Sequence, residues 1–185
     1  SRGRVRVERG AKRVRATLGG QEVVDTTTPV LVWEVPYYPA YYLPLDDLAA
    51  ELRPTGETTR SPSRGDGQVH DVVLGEFVAA GAALTFPGSP IEELRDLVRL
   101  DWDSMDAWFE EDVEGSVHPR SPEVRVDVLA SSRHVRVSVD GVVLAESDRP
   151  TLLFETGLPM RAYLPQADVR MDLLAPTDTT SSCPN

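Results

Sequence analysis

One cysteine, Cys183, rules out an intrachain disulfide and any zinc site built from Cys-x-x-Cys pairs. The three histidines, His70, His118 and His134, have no metal-ligand spacing, so no metal site is expected from cysteine or histidine. Lysine is almost missing as well. Lys12 stands alone against eighteen arginines, a ratio ascribed to genome composition rather than to mechanism. No apolar run approaches the ~20 residues of a membrane helix, and the arginine-rich first fifteen residues carry no apolar signal segment. These absences predict a soluble, cytoplasmic protein with no membrane partner. A P-loop, a dinucleotide fingerprint and a nucleophile elbow are absent too. A net charge of −11 argues against nucleic acid as a partner, because phosphate contacts need a cationic surface.

What is present is unevenly distributed. Seven of the nineteen basic residues lie in the first fifteen positions, and ten acids crowd residues 92–114. In Arg4-Val5-Arg6-Val7 the arginines alternate with valines, as on a half-buried strand. Further strands are predicted at residues 13–18 and 22–25 around Gly19-Gly20, then at 30–34, which is apolar on both faces and therefore central in a sheet. Residues 41–43 read as short and extended, 69–74 and 77–86 as strands, and 98–102 as extended. Short helices are expected at 45–52 after Pro44, at 91–98 and at 166–174, with a short amphipathic piece at 105–109. Residues 53–67, RPTGETTRSPSRGDG, read as a long loop.

The chain repeats itself. Shifting by 121 residues aligns residues 14–44 with 135–165, and nine of the thirty-one positions are identical. They include Gly20/Gly141, Pro29/Pro150, Leu31/Leu152, Glu34/Glu155, Tyr42/Tyr163 and Pro44/Pro165. One inserted residue later, Ser61-Pro62 meets Cys183-Pro184. The organisation expected is a complete first repeat domain over residues 1–115, a linker at 116–123, and a partial second repeat over 124–185. The two copies would pack as an intrachain pseudo-dimer, with homo-oligomerisation also open. Because the second copy stops one residue after Pro184, its strand faces would lack a cover, and the favoured expectation is a chain that continues past Asn185.

The repeated motifs resemble those of the family known as domain of unknown function 427, which carries a nucleotidyltransferase-like label. The resemblance rests on Leu152-Leu153-Phe154-Glu155-Thr156, Tyr163-Leu164-Pro165, the acidic stretch from Asp168 to Leu174, and Thr180-Ser181-Ser182-Cys183-Pro184. In the first copy it also rests on Trp102-Asp103 leading to Ala107-Trp108-Phe109-Glu110. It covers nearly the whole chain. In the first copy Ser61 stands at the cysteine position, and Arg64-Gly65 stands where the family usually has Lys-Gly. The resemblance implies a mainly β fold: two tandem β-tent-like domains of twisted antiparallel sheet with short helices, the second truncated.

Glu34 and Glu155 end apolar strands, where burial would raise a carboxyl pKa toward acid–base work; backbone donors of the next turn would satisfy them equally well. Tyr42 and Tyr163 are expected to face the same concavity, and a tyrosine before a proline-containing turn is commonly a packing residue. Arg170 could grip an anion or lie on a solvated face. The leading expectation is a small-ligand site formed by Glu34, Tyr42, Glu155, Tyr163 and Arg170, with Glu155 and Cys183 as catalytic candidates if the second copy is an enzyme. Cys183 lacks a neighbouring cation in sequence, which favours an inert thiol. One alternative reads Gly88-Ser89 followed by Asp101-Trp102-Asp103 as a nucleotidyltransferase pattern, with Asp101 and Asp103 holding Mg²⁺. A second alternative is a protein-interaction module using the tyrosine-rich turn at residues 37–42.

Overall fold

The computed structural model describes residues 5–36, 38–115, 118–120, 122 and 126–178. It is mainly β. A seven-stranded antiparallel sheet runs in the order β1 (Arg6–Arg9), β4 (Val30–Trp33), β5 (Ala40–Pro44), β9 (Leu97–Leu100), β8 (Phe77–Thr85), β7 (Gly65–Leu74), β6 (Glu51–Ser61). A second sheet orders β11 (Val113–Gly115), β10 (Ala107–Glu110), β2 (Val14–Leu18) and β3 (Gln21–Thr26). Later in the chain come a three-stranded sheet, β12 (Val126–Ala130), β15 (Thr151–Glu155), β16 (Arg161–Tyr163), and a hairpin of β13 (Val135–Val139) with β14 (Val142–Ser147).

Period-two burial shows why these segments are strands. In β2, Val14, Ala16 and Leu18 turn inward while Arg15 and Thr17 turn outward. Leu31, Trp33, Tyr41 and Leu43 pack with Val72, Val98, Met105 and Trp108 in one core cluster. Their neighbours Val32 and Tyr42 join Phe86, Leu94 and Leu97 in a second. β4 and β5 are thus covered on both faces, as the doubly apolar sequence of 30–34 requires. Trp102 and Trp108 stack at 4.5 Å and nearly parallel, and the Trp108 indole donates to the Trp102 carbonyl.

The 121-residue repeat is also a repeat of backbone. β1 pairs β4 as β12 pairs β15, and Val30 faces Tyr42 as Thr151 faces Tyr163. Both hairpins turn on two residues with positive φ, Gly19-Gly20 and Asp140-Gly141, as a type I′ turn demands. Both carry a register shift at the same place, after Ala16 and after Val137. Even the isolated bridges correspond, Val24 with Leu48 and Ala145 with Val169.

Every expected α-helix is replaced by something shorter. Residues 45–52 form a single 3-10 turn, Leu45–Asp47, because Leu48 is captured by its bridge to Val24 and Ala49 donates to the Val23 carbonyl. Residues 91–98 give one 3-10 turn, Glu92–Leu94, before the chain extends into β9, whose partners β5 and β8 offer ladder bonds that a helix would forgo. Residues 166–174 make two turns, Gln166–Asp168 and Met171–Leu173, separated by the Val169 bridge. The amphipathic piece at 105–109 is strand β10, held against β2. The expected loop at 53–67 is instead the distal part of the β6–β7 hairpin. It lacked alternation because β6 is an edge strand with nearly every side chain in solvent. Pro54 and Gly56 sit at a bulge in that edge, a device that discourages pairing with other chains. No helix among the described residues is long and apolar enough to cross a membrane.

Candidate functional site

The two repeated Glu–Tyr pairs meet different fates. Glu34 sits just beyond β4; Tyr42 of β5 stands opposite Val30 in the register and reaches Glu34 through its hydroxyl. The Tyr42 hydroxyl donates to Glu34 Oε1 at 2.7 Å, and Arg64 Nη1 lies 2.5 Å from both that oxygen and the hydroxyl. Arg64 comes from the turn between β6 and β7. Its Nε and its backbone N–H donate to Ser61 Oγ, and its guanidinium lies 4.9 Å from the centre of the Phe86 ring. Arg99 of β9 brings a second guanidinium within 3.1 Å of Glu34 Oε1. Glu34, Tyr42, Ser61 and Arg64, all from motif positions, therefore converge, and the long hairpin exists in part to deliver the last two.

The polar groups of this cluster are taken up by one another. Tyr42 is fully buried, and burial first, then the Glu34 charge, raise its hydroxyl pKa far above the ordinary tyrosine value. It is a permanent donor at neutral pH and cannot serve as a base. Glu34 Oε1 is occupied by the donors around it, and two arginines on one carboxylate give the arrangement of a structural ion-pair network.

Glu155 ends β15 as Glu34 follows β4, but its surroundings differ. It is half-buried and lines a cleft of about 230 Å³ between β1 and the segment after β15. Arg6, Glu8, Arg9, Lys12, Leu31, Asp127, Phe154, Leu158 and Met160 share that cleft. Tyr163 has the backbone register of Tyr42 yet is 54% exposed and is not part of the lining. Arg170 is spent on Asp172, with contacts of 2.7 and 2.9 Å. Cys183 lies outside the described residues.

Asp101 accepts a 2.6 Å hydrogen bond from Ser104 Oγ and borders a groove of about 190 Å³ that also touches Thr59 and Arg99. Asp103 is exposed on the Trp102–Ser104 turn. Among the described residues no group of three His, Cys, Asp or Glu side chains is placed to hold a metal. Ser89, the other half of the transferase pattern, is buried; its Oγ accepts the Ile91 N–H and its carbonyl accepts Arg95 Nε. No α-helix follows it to present an N-terminus to phosphate.

Two charged groups that the sequence reading passed over link residues 12–13 and 110–111 to residues 127–133. Lys12 Nζ lies 2.9 Å from Glu110 and 2.5 Å from Asp127, and the Tyr41 hydroxyl donates to the other Glu110 oxygen at 2.6 Å. Glu111 is wholly buried: Oε1 accepts from the Arg13 backbone N–H and from Arg133 Nη2, and Oε2 from Ser131 Oγ. Lys12 was conspicuous as the only lysine, and its partners come from β10 and β12, remote in sequence. Arg64 had been noted at the family's Lys position. Nothing in the local sequence pointed to Arg99 as a partner of Glu34.

No curated protein matches this chain. One family model matches it twice, over residues 6–111 and again over 127–185, and the two matches begin at the same 121-residue offset as the internal repeat. The chain belongs to the family described as Domain of unknown function (DUF427).

Proposed function

We propose that this chain is a small-ligand-binding β protein and that its working site is the cleft beside Glu155. The observation that carries the reading is the contrast within the repeat. Glu34 is paired with Tyr42, Arg64 and Arg99, whereas Glu155, at the equivalent position, lines an open cleft with an apolar wall. In this reading the chain is two copies of one domain, residues 1–115 and 124–185, joined by a linker at 116–123. The Lys12 and Glu111 contacts hold the copies as an intrachain pseudo-dimer. Any chemistry belongs to the second copy, with Glu155 as the group available to move a proton, and the setting is cytoplasmic.

Ligand-observed NMR with a library of small fragments tests the site. Hits are expected on the native chain, with loss of those hits in Leu158→Trp, which fills the cleft from an exposed position, and their retention in Tyr42→Phe. Hits that survive Leu158→Trp, or a library with no hits, refute the reading. Protein-observed NMR with Mg²⁺ and a nucleoside triphosphate added tests the transferase alternative. That reading requires chemical-shift changes at Asp101 and Asp103, which two carboxylates without a third ligand do not favour.

A further inference from the structure

The charges in the Glu155 cleft do not cancel locally. Of the three cations and three anions that line it, Arg6 pairs with Glu8 at 2.6 Å and Lys12 with Asp127 at 2.5 Å. Arg9 and Glu155 are left, and neither side chain has an ion-pair or hydrogen-bond partner among the described residues. The same lining includes the apolar side chains of Leu31, Phe154, Leu158 and Met160. Phe154 is further fixed by Lys12, whose ammonium lies 5.7 Å from the ring centre.

From this pairing we infer that the cleft takes a small zwitterion, an α-amino acid with an apolar side chain; the inference rests on the proposed cleft reading. The carboxylate of such a ligand pairs with the Arg9 guanidinium, which presents a planar fork of donors matched to two oxygens. Its ammonium pairs with Glu155. Its side chain covers Phe154, Leu158 and Met160, removing apolar surface from water. A ligand with one charge would satisfy one residue and desolvate the other without compensation, which costs more than it returns. The volume allows it: about 230 Å³, roughly eight water volumes of ~30 Å³, has room for a small amino acid.

The test titrates the full chain with L-leucine, N-acetyl-L-leucine, which lacks the ammonium, and L-leucinamide, which lacks the carboxylate, following binding by calorimetry. Leucine is expected to bind at least ~10-fold more tightly than either analogue, the loss that goes with one charge-assisted hydrogen bond. Arg9→Ala should weaken leucine by a similar factor and leave leucinamide unchanged; Glu155→Gln should weaken leucine and leave N-acetyl-leucine unchanged. Equal affinity for the three compounds, or variants that weaken all three alike, overturns the assignment. If library fragments bind the cleft and leucine does not, the zwitterion assignment falls and the cleft reading stands. If neither binds, both fall.

Discussion

Residues 14–44 and 135–165 share strands, turns and bulges, yet their side chains live in different surroundings. Ala16, Leu18 and Tyr42 are 0%, 9% and 0% exposed; their counterparts Val137, Val139 and Tyr163 are 43%, 55% and 54% exposed. The difference lies in what is laid over the strands. β10 pairs along β2, and β9 pairs along β5. Among the described residues nothing pairs with the equivalent edges of β13 and β16. Leu31 and Leu152 are buried in both copies, because β4 and β15 have a neighbour strand on each side. The lesson is that strand sequence and register are local properties of the repeat, whereas burial is conferred by segments far away. The Glu–Tyr pair follows the same rule: Glu34 and Tyr42 are bridged by Arg64, which the β6–β7 turn brings to them.

The largest expected effect tests that asymmetry. Tyr42→Ala removes a fully buried ring from contact with Phe86 and strips Glu34 and Arg64 of a shared partner. It should cost about 3–5 kcal/mol, as deletions of large buried rings do. Tyr163→Ala, at the same register position, should change stability by less than about 0.5 kcal/mol, as surface substitutions usually do. Urea unfolding of the two variants decides the matter. Comparable losses would mean that Tyr163 is covered in solution and that the two copies are more alike than the structure indicates.

Glu111→Gln comes next, because it acts on the contacts of Glu111 with Arg13, Ser131 and Arg133. Glu111 stands at a φ of 53°, a left-handed conformation costly for a side chain with a Cβ, and its three accepted hydrogen bonds hold it there. The amide keeps the shape but leaves the half-buried Arg133 guanidinium without its carboxylate. A loss of about 1.5–3 kcal/mol is expected, the range for hydrogen bonds to charged groups. Hydrogen exchange should localise it, with β13–β14 losing more protection than β2–β3. Equal loss across both hairpins would show the copies to be one cooperative unit.

Much of the architecture could be read from the chain, and the reasons for the rest are physical. The repeat, both two-residue hairpins and the central position of β4 follow from period-two patterning and glycine placement, which are local signals. The helix at 91–98 failed because its apolar spacing reflects burial under other strands, and those at 45–52 and 166–174 because Leu48 and Val169 are drawn into bridges with Val24 and Ala145. Leu94, Leu97 and Val98 are buried from different sides of a bend rather than along one helical face. The hairpin arm at 53–67 was hidden because an edge strand in water needs no alternation. For the site, Glu34 and Tyr42 could be paired from their recurrence, but Arg99 and the Lys12–Asp127 bridge depend on residues 65 and 115 positions away, which no local pattern encodes.

The smallest effect is a difference of sign. Arg13 pairs with Asp25 across the first hairpin, and at the equivalent positions His134 pairs with Glu146, aided by Asp148. The hydrogen bond that Asp148 accepts from the imidazole, then the charges of Asp148 and Glu146, raise the His134 pKa above the ordinary 6.5. Its contribution is therefore fully present below ~6.5 and disappears as pH rises through the raised value. His70, buried in the first copy with Nε2 on Thr85, has its pKa lowered by desolvation; the stability it permits is present above ~6.5 and falls away as pH drops toward the lowered value. Mild acidification should thus weaken β7–β8 and strengthen β13–β14, as judged by amide exchange between pH 5 and 8 after correction for intrinsic rates. His134→Arg recreates the pairing of Arg13 and should flatten the response of β13–β14 while leaving that of β7–β8. A hairpin that keeps its pH response with arginine at this position would show that the His134 ion pairs do not govern it, and that the Arg-to-His difference between the copies is electrostatically silent.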